Sequence, residues 1–150
     1  MTAAAESIEA LKVAARAADQ MQGTNLLAVD ASDAMGLIDG FLVVSAHNER
    51  LVNAIVDEVE DKLREELGLK PLRREGRAEG RWVLLDFGDI VVHVQHEEDR
   101  AFYALDRLWG DAPRIDLGLE SEAGAVDTEG AEADFEIISP EADLMNRIQD

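Results

Sequence analysis

The spacing of apolar positions changes several times along the chain, and each change marks an element. From Ser7 to Met21 an alanine-rich stretch puts Ile8, Leu11, Ala15 and Ala18 on one stripe, which predicts a helix that Gly23 ends. Asn25–Asp30 (NLLAVD) and Phe41–Ala46 (FLVVSA) are short apolar runs suited to buried strands, joined by a polar connection from Ala31 to Gly40. Their close succession predicts neighbours in one sheet. Asn48 is a good N-cap, and Val52, Ile55, Val56, Val59, Leu63 and Leu67 form the apolar stripe of a long helix that Gly68 and Pro71 close. Residues 71–78 (PLRREGRA) are polar and basic, which predicts a strand at a sheet edge.

The densest signal lies between Gly80 and Pro113, GRWVLLDFGDIVVHVQHEEDRAFYALDRLWGDAP. Arg81–Asp86 and Ile90–Gln95 are rich in β-branched and aromatic residues and flank Phe87-Gly88-Asp89, a hairpin signal because glycine enters the turn at positive φ without steric cost. Glu97, Glu98 and Asp99 put negative charge where a helix N-terminus favours it, and Phe102, Leu105, Leu108 and Trp109 follow at helical spacing up to Gly110. The predicted order is helix, two strands, helix, edge strand, hairpin, helix. That order gives an α/β (mixed α+β) fold with a single mixed β-sheet packed with helices.

Charge adds a boundary to this picture. Of the formal −19, residues 119–150 carry ten acidic groups and one basic one, or −9, while the remaining 23 acids and 13 bases leave −10 on residues 1–118. The acidic segment has little periodicity, so residues 1–118 are expected to fold as one domain and 119–150 to form a flexible acidic tail. A charge of −19 argues against generic binding along nucleic acid and favours a basic partner. The chain of 150 residues has no cysteine, no apolar run of bilayer length and no basic-then-apolar leader, which together predict a cytoplasmic protein.

Candidate chemistry is sparse. Asp86-Phe87-Gly88 spells a kinase metal-binding triplet, but no glycine-rich loop or catalytic loop accompanies it, and it reads as a turn. Asp86, Asp89, His93 and His96 do not converge as metal ligands, because Asp89 and His93 share one strand face and His96 lies on the other; a sheet histidine with a satisfied hydrogen bond is expected. Asp30, Asp33 and Asp39 lack the alternate-residue spacing of paired catalytic carboxylates and read as caps and turns. No catalytic site, metal site or cofactor is expected, and the chain is not read as an enzyme.

Two features point to binding instead. Lys70, Arg73, Arg74, Arg77 and Arg81 form one basic cluster in an acidic protein, either guarding an edge strand or making short-range contacts to phosphate or acidic side chains. On the strand that follows, Val83, Leu85 and Phe87 are an uninterrupted apolar set and are expected to face the core helices. Trp82, Leu84 and Asp86 are then expected outward, with the composition of an interface hot spot, unless a further helix covers Trp82.

These residues also carry a resemblance. The Gly80–Pro113 segment, with VDAS followed by DGFLVVSAHNER and then KPLRREG, resembles the signature of the ribosomal silencing factor (Iojap-like) family from about Ile8 to Leu117. The resemblance implies a nucleotidyltransferase-like fold without catalytic acids. It implies a translational repressor that binds the large ribosomal subunit through its fourteenth ribosomal protein and sterically blocks joining of the small subunit in nutrient limitation. Trp82 stands at the family's interface tryptophan, with Leu84 and Asp86 on the same strand face; Arg81 and Arg74 are the cationic candidates for the partner-binding surface, with local ribosomal RNA contact left open. Self-association is implied too, so a homodimer is expected when the factor is free. The alternatives are a degenerate nucleotidyltransferase-like protein binding a nucleotide near Ala31–Gly40 and Asn48, and a homodimeric scaffold.

Overall fold

The computed structural model describes residues 3–35, 37–103 and 112–123. In chain order the elements are α1 (Ala5–Gln20), β1 (Thr24–Asp30), a short α2 (Ser32–Met35), β2 (Gly40–Ala46), α3 (Glu49–Leu67), β3 (Arg73–Glu75), β4 (Trp82–Asp86), β5 (Ile90–His96), α4 (Glu97–Tyr103) and β6 (Arg114–Ile115). One six-stranded sheet runs β3-β4-β5-β2-β1-β6. Among the strands of the described residues β2 and β5 pair in parallel and the other strand ladders are antiparallel, with a single parallel bridge between Leu26 and Glu122 beside β1. The predicted mixed sheet with helices packed on it is therefore the observed fold.

Local chemistry explains where the elements stop. The Asn48 side-chain oxygen accepts from the Leu51 N–H at 2.7 Å and caps α3, and Gly68 ends that helix in the left-handed region at φ 68°. α1 has no cap of its own; Asp39, from the connection before β2, accepts from the Ser7 hydroxyl at 2.7 Å in its first turn. Gly40 starts β2 under α1, where a Cβ would lie 2.8 Å from both Leu11 Cδ1 and the Val29 carbonyl.

The sheet is buried on both faces. On one, α1 and α3 pack Leu11, Ala14, Val52, Ile55, Val59 and Leu63 against Leu42, Val44, Val83, Leu85, Val92 and Val94. On the other, Leu27, Val29, Phe41, Val43, Leu84 and Val91 form a second cluster, with Ile38 from the connection folded onto it. β3 lies at the predicted edge. At the other edge β6, not foreseen in the sequence, pairs with β1. The first residues of the acidic segment continue along β1: the Leu26 N–H donates to the Ser121 carbonyl at 3.1 Å and the Ala123 N–H to the Leu26 carbonyl at 2.7 Å. The helical positions Leu105, Leu108 and Trp109, and residues 124–150 of the expected tail, lie outside the described residues.

Candidate partner-binding face

Strand alternation sorts β4 as expected, with Val83 and Leu85 toward α1 and α3 and Trp82 and Leu84 toward the opposite face. Exposure does not follow. Leu84 is 1% exposed and Asp86 5%, and only Trp82 is half-buried. Leu84 is covered because its neighbours Leu27, Val29, Phe41, Val43 and Val91 make a core of that face too. Asp86 is held locally: its Oδ1 accepts from the Gly88 N–H at 2.8 Å, closing the turn, and its Oδ2 lies 3.6 Å from Arg73 Nε, the residue opposite it on β3.

Trp82 is fixed from beneath. Its indole N–H donates to His93 Nδ1 at 3.1 Å, with the two rings tilted by 51° and centroids 6.0 Å apart. His93 is opposite Leu84 in the ladder, so it meets Trp82 diagonally on the same face. Phe41 packs edge-on to the imidazole from β2, at 6.0 Å. Burial, helped by the charge of Arg100, drives the His93 pKa down to about 3. The imidazole is therefore neutral at physiological pH. Among the described residues, His93 Nε2 and both amide atoms of Gln95, which stands directly opposite Trp82, are buried without a hydrogen-bond partner. Nearby, Arg100 of α4 reaches down to the buried Ser45 hydroxyl at 2.9 Å.

The basic cluster is laced to the helices. Arg74 makes a two-pronged contact with Glu60 at 2.7 and 2.9 Å, and Arg77 meets Asp57 at 2.6 Å. Arg81 gathers Asp99 at 2.7 Å, Glu98 at 3.1 Å and Glu49 at 3.6 Å, tying the start of β4 to the first turns of α3 and α4. Arg81 is next to Trp82, whereas Arg74, opposite Leu85, lies on the α3 side of the sheet; the charge of each of these three arginines is matched by carboxylates of the same chain.

Carboxylates considered for metal chemistry are likewise committed. Asp30 accepts from the Ala3 N–H, the Ser32 N–H and the Ser32 hydroxyl; burial works against its charged form, but these hydrogen bonds outweigh it and hold its pKa below the ordinary value. His96 Nδ1 accepts from the Glu98 N–H at the start of α4. Among the described residues no three histidine, cysteine or carboxylate side chains gather as metal ligands. An open cleft of about 460 Å³ between α1 and the end of α3 is lined by Ala5, Glu6, Glu9, Leu67 and Leu69, on the helical side of the sheet and away from the Trp82 ring.

Fold and site together define a mixed-sheet α+β protein whose hairpin presents one anchored tryptophan on the face opposite its two long helices. The profile of the family described as "Ribosomal silencing factor during starvation" matches residues 4–138. The chain is 42% identical to the ribosomal silencing factor of Bacillus subtilis over 107 residues, covering 71% of this chain and 90% of that protein. Two crystal structures share the fold. One, from Bacillus halodurans, has a TM-score of 0.62 at 37% identity, covering 73% of this chain and 98% of that one. The other, from Chromobacterium violaceum, has a TM-score of 0.65 at 31% identity, covering 80% and 95%. The chain belongs to the ribosomal silencing factor family.

Proposed function

We propose that this protein represses translation by binding the large ribosomal subunit through its fourteenth ribosomal protein, where it occupies space the small subunit needs. Regulation by occupancy, not catalysis, is the activity in this reading, and it takes place in the cytoplasm. The observation that carries it is Trp82: a half-buried indole at the end of a rigid hairpin, locked by His93 and flanked by Arg81. An aromatic anchor on a pre-organised strand is what a hot spot needs.

Charge supports a protein-centred contact. The −19 of the chain attracts a basic ribosomal protein and is repelled by surrounding RNA. Any contact of Arg74 or Arg81 to ribosomal RNA would exchange their present carboxylate partners for phosphate, so RNA is the lesser part of this reading. Leu84 contributes as support beneath the ring, and Asp86 by holding the turn and Arg73. Self-association of the free factor through the same hairpin would compete with the ribosome. No contact among the described residues favours the nucleotide-binding alternative, since Asp30 and Asp39 are taken up by Ala3, Ser32 and Ser7.

Sucrose-gradient fractionation with purified subunits tests the proposal. The factor is expected to travel with the large subunit alone and to shift the balance away from joined ribosomes. Co-migration with the small subunit, or unchanged joining at saturating factor, would overturn it.

A further inference from the structure

A neutral histidine in the middle of an apolar cluster needs a reason. His93 is wholly buried, and its neighbours on that face include Phe41, Val43, Leu84 and Val91. An aliphatic side chain would suit all of these. Histidine instead leaves Nε2 buried without a partner among the described residues, which costs stability. What it supplies in return is an acceptor. A neutral imidazole has one donor and one acceptor nitrogen, and since Nδ1 accepts from the Trp82 indole, the proton resides on Nε2.

We propose that His93 is a positioning residue for the docking face: it draws the Trp82 N–H inward, so that the partner meets the carbon surface of the ring and answers it with an aliphatic or cationic side chain, not with a hydrogen-bond acceptor. This rests on the reading that Trp82 touches the ribosomal partner. The geometry behind it is independent of that reading. The bond is 3.1 Å, the imidazole is wedged edge-on by Phe41, and Trp82 is itself packed on the same cluster. With its N–H satisfied inside, the indole has no reason to turn toward water. Trp82 is half-buried, and the part of the ring that reaches the surface meets a partner through carbon, by apolar contact or with a cation over the π-surface.

Asparagine and leucine at position 93 separate the roles, because Asn Oδ1 occupies the place of His Nδ1 whereas leucine offers no acceptor. The Trp82 indole N–H resonance and its exchange with solvent are followed by NMR in a Trp109→Phe background, and binding to purified large subunits is measured alongside. In His93→Leu the indole N–H is expected to shift and lose protection, and binding to weaken by about tenfold, the worth of roughly one hydrogen bond. His93→Asn should restore both. Trp82→Phe, which keeps an aromatic face but has no N–H, should lose clearly less binding than Trp82→Ala.

An unchanged indole resonance in His93→Leu would overturn the latch. Loss of binding in Trp82→Phe as deep as in Trp82→Ala would overturn the partner chemistry, since it would mean that the N–H is given to the partner. Should His93→Leu not fold, the asparagine and phenylalanine variants still decide the matter. If Trp82→Ala itself binds like wild type while the indole resonance responds to His93→Leu, the docking assignment fails and the latch stands.

Discussion

Gly76 lies against the carbonyl of Trp82 so closely that a side-chain carbon on it would stand 1.9 Å from the oxygen. Its φ of 87° is also in the left-handed region. Gly76→Ala should therefore disturb the turn that carries β3 over the start of β4, at a cost of about 2 kcal/mol or more from strain and overlap together. Gly68 is the control, because it has a similar φ of 68° but nothing within 4 Å of a Cβ. Gly68→Ala should cost about 1 kcal/mol, the left-handed penalty alone. Urea midpoints of the two variants check the difference, and only Gly76→Ala should also impair large-subunit binding.

Trp82 and Arg74 should part ways in a binding assay. Truncation of an anchored aromatic at an interface costs ~2–4 kcal/mol, so Trp82→Ala should weaken co-sedimentation with large subunits about 30- to 1000-fold. Arg74, itself exposed, is bound to Glu60 of α3. Its replacement by alanine should change affinity less than tenfold, with any loss growing smaller as salt is raised. Equal losses for the two variants would move the docking face from the ring to the basic edge.

How much of this was legible in the sequence depends on whether a feature is set by one segment or by two. The strands, the long helices and the Asn48 and Gly68 caps follow from local pattern. The burial of Leu84 does not, because β4 read alone looks one-sided. Setting it beside β2 and β5, whose Phe41, Val43 and Val91 are apolar on that same face, shows a sheet covered on both sides. β6 has only two residues, too few for any period to register. Asp86 could be placed in the turn from its spacing to Gly88, but its ion pair with Arg73 needs the β3 register. The Trp82–His93 pair follows only once the turn is narrowed from Phe87-Gly88-Asp89 to Gly88-Asp89: the Phe87 N–H donates to the Ile90 carbonyl, and that two-residue turn sets the register that makes the two residues diagonal neighbours, whereas a three-residue turn would shift the register by one and part them.

Acid should find His93. Its pKa falls from 6.5 in the unfolded chain to about 3 in the fold, so below pH 6.5 the unfolded state binds a proton that the native state refuses. Stability is full above pH 6.5 and declines as pH drops toward 3. At ~1.4 kcal/mol per unit, the decline between pH 6.5 and 5 approaches about 2 kcal/mol from this one group. Urea midpoints at pH 7 and pH 5, compared between wild type and His93→Asn, isolate it from the other titrating groups. The variant should show the shallower slope; equal slopes would mean that His93 does not resist protonation.

Asp86 has two jobs that a pair of substitutions can separate. One is geometric, since Oδ1 receives the Gly88 N–H at 2.8 Å and shapes the hairpin turn. The other is electrostatic, through Arg73 at 3.6 Å and through whatever cation a basic partner brings near the hairpin. Asp86→Asn keeps an oxygen for the turn and removes the charge, so stability should fall by less than ~1 kcal/mol, since the pair is long, at 3.6 Å, and its arginine is partly exposed to water. Asp86→Ala removes both and leaves the Gly88 N–H without its acceptor, at about 1–3 kcal/mol. Thermal unfolding ranks the two. If the carboxylate also serves docking, asparagine and alanine should weaken large-subunit binding alike despite their different stabilities. If the turn is its whole task, binding should track stability, with asparagine close to wild type.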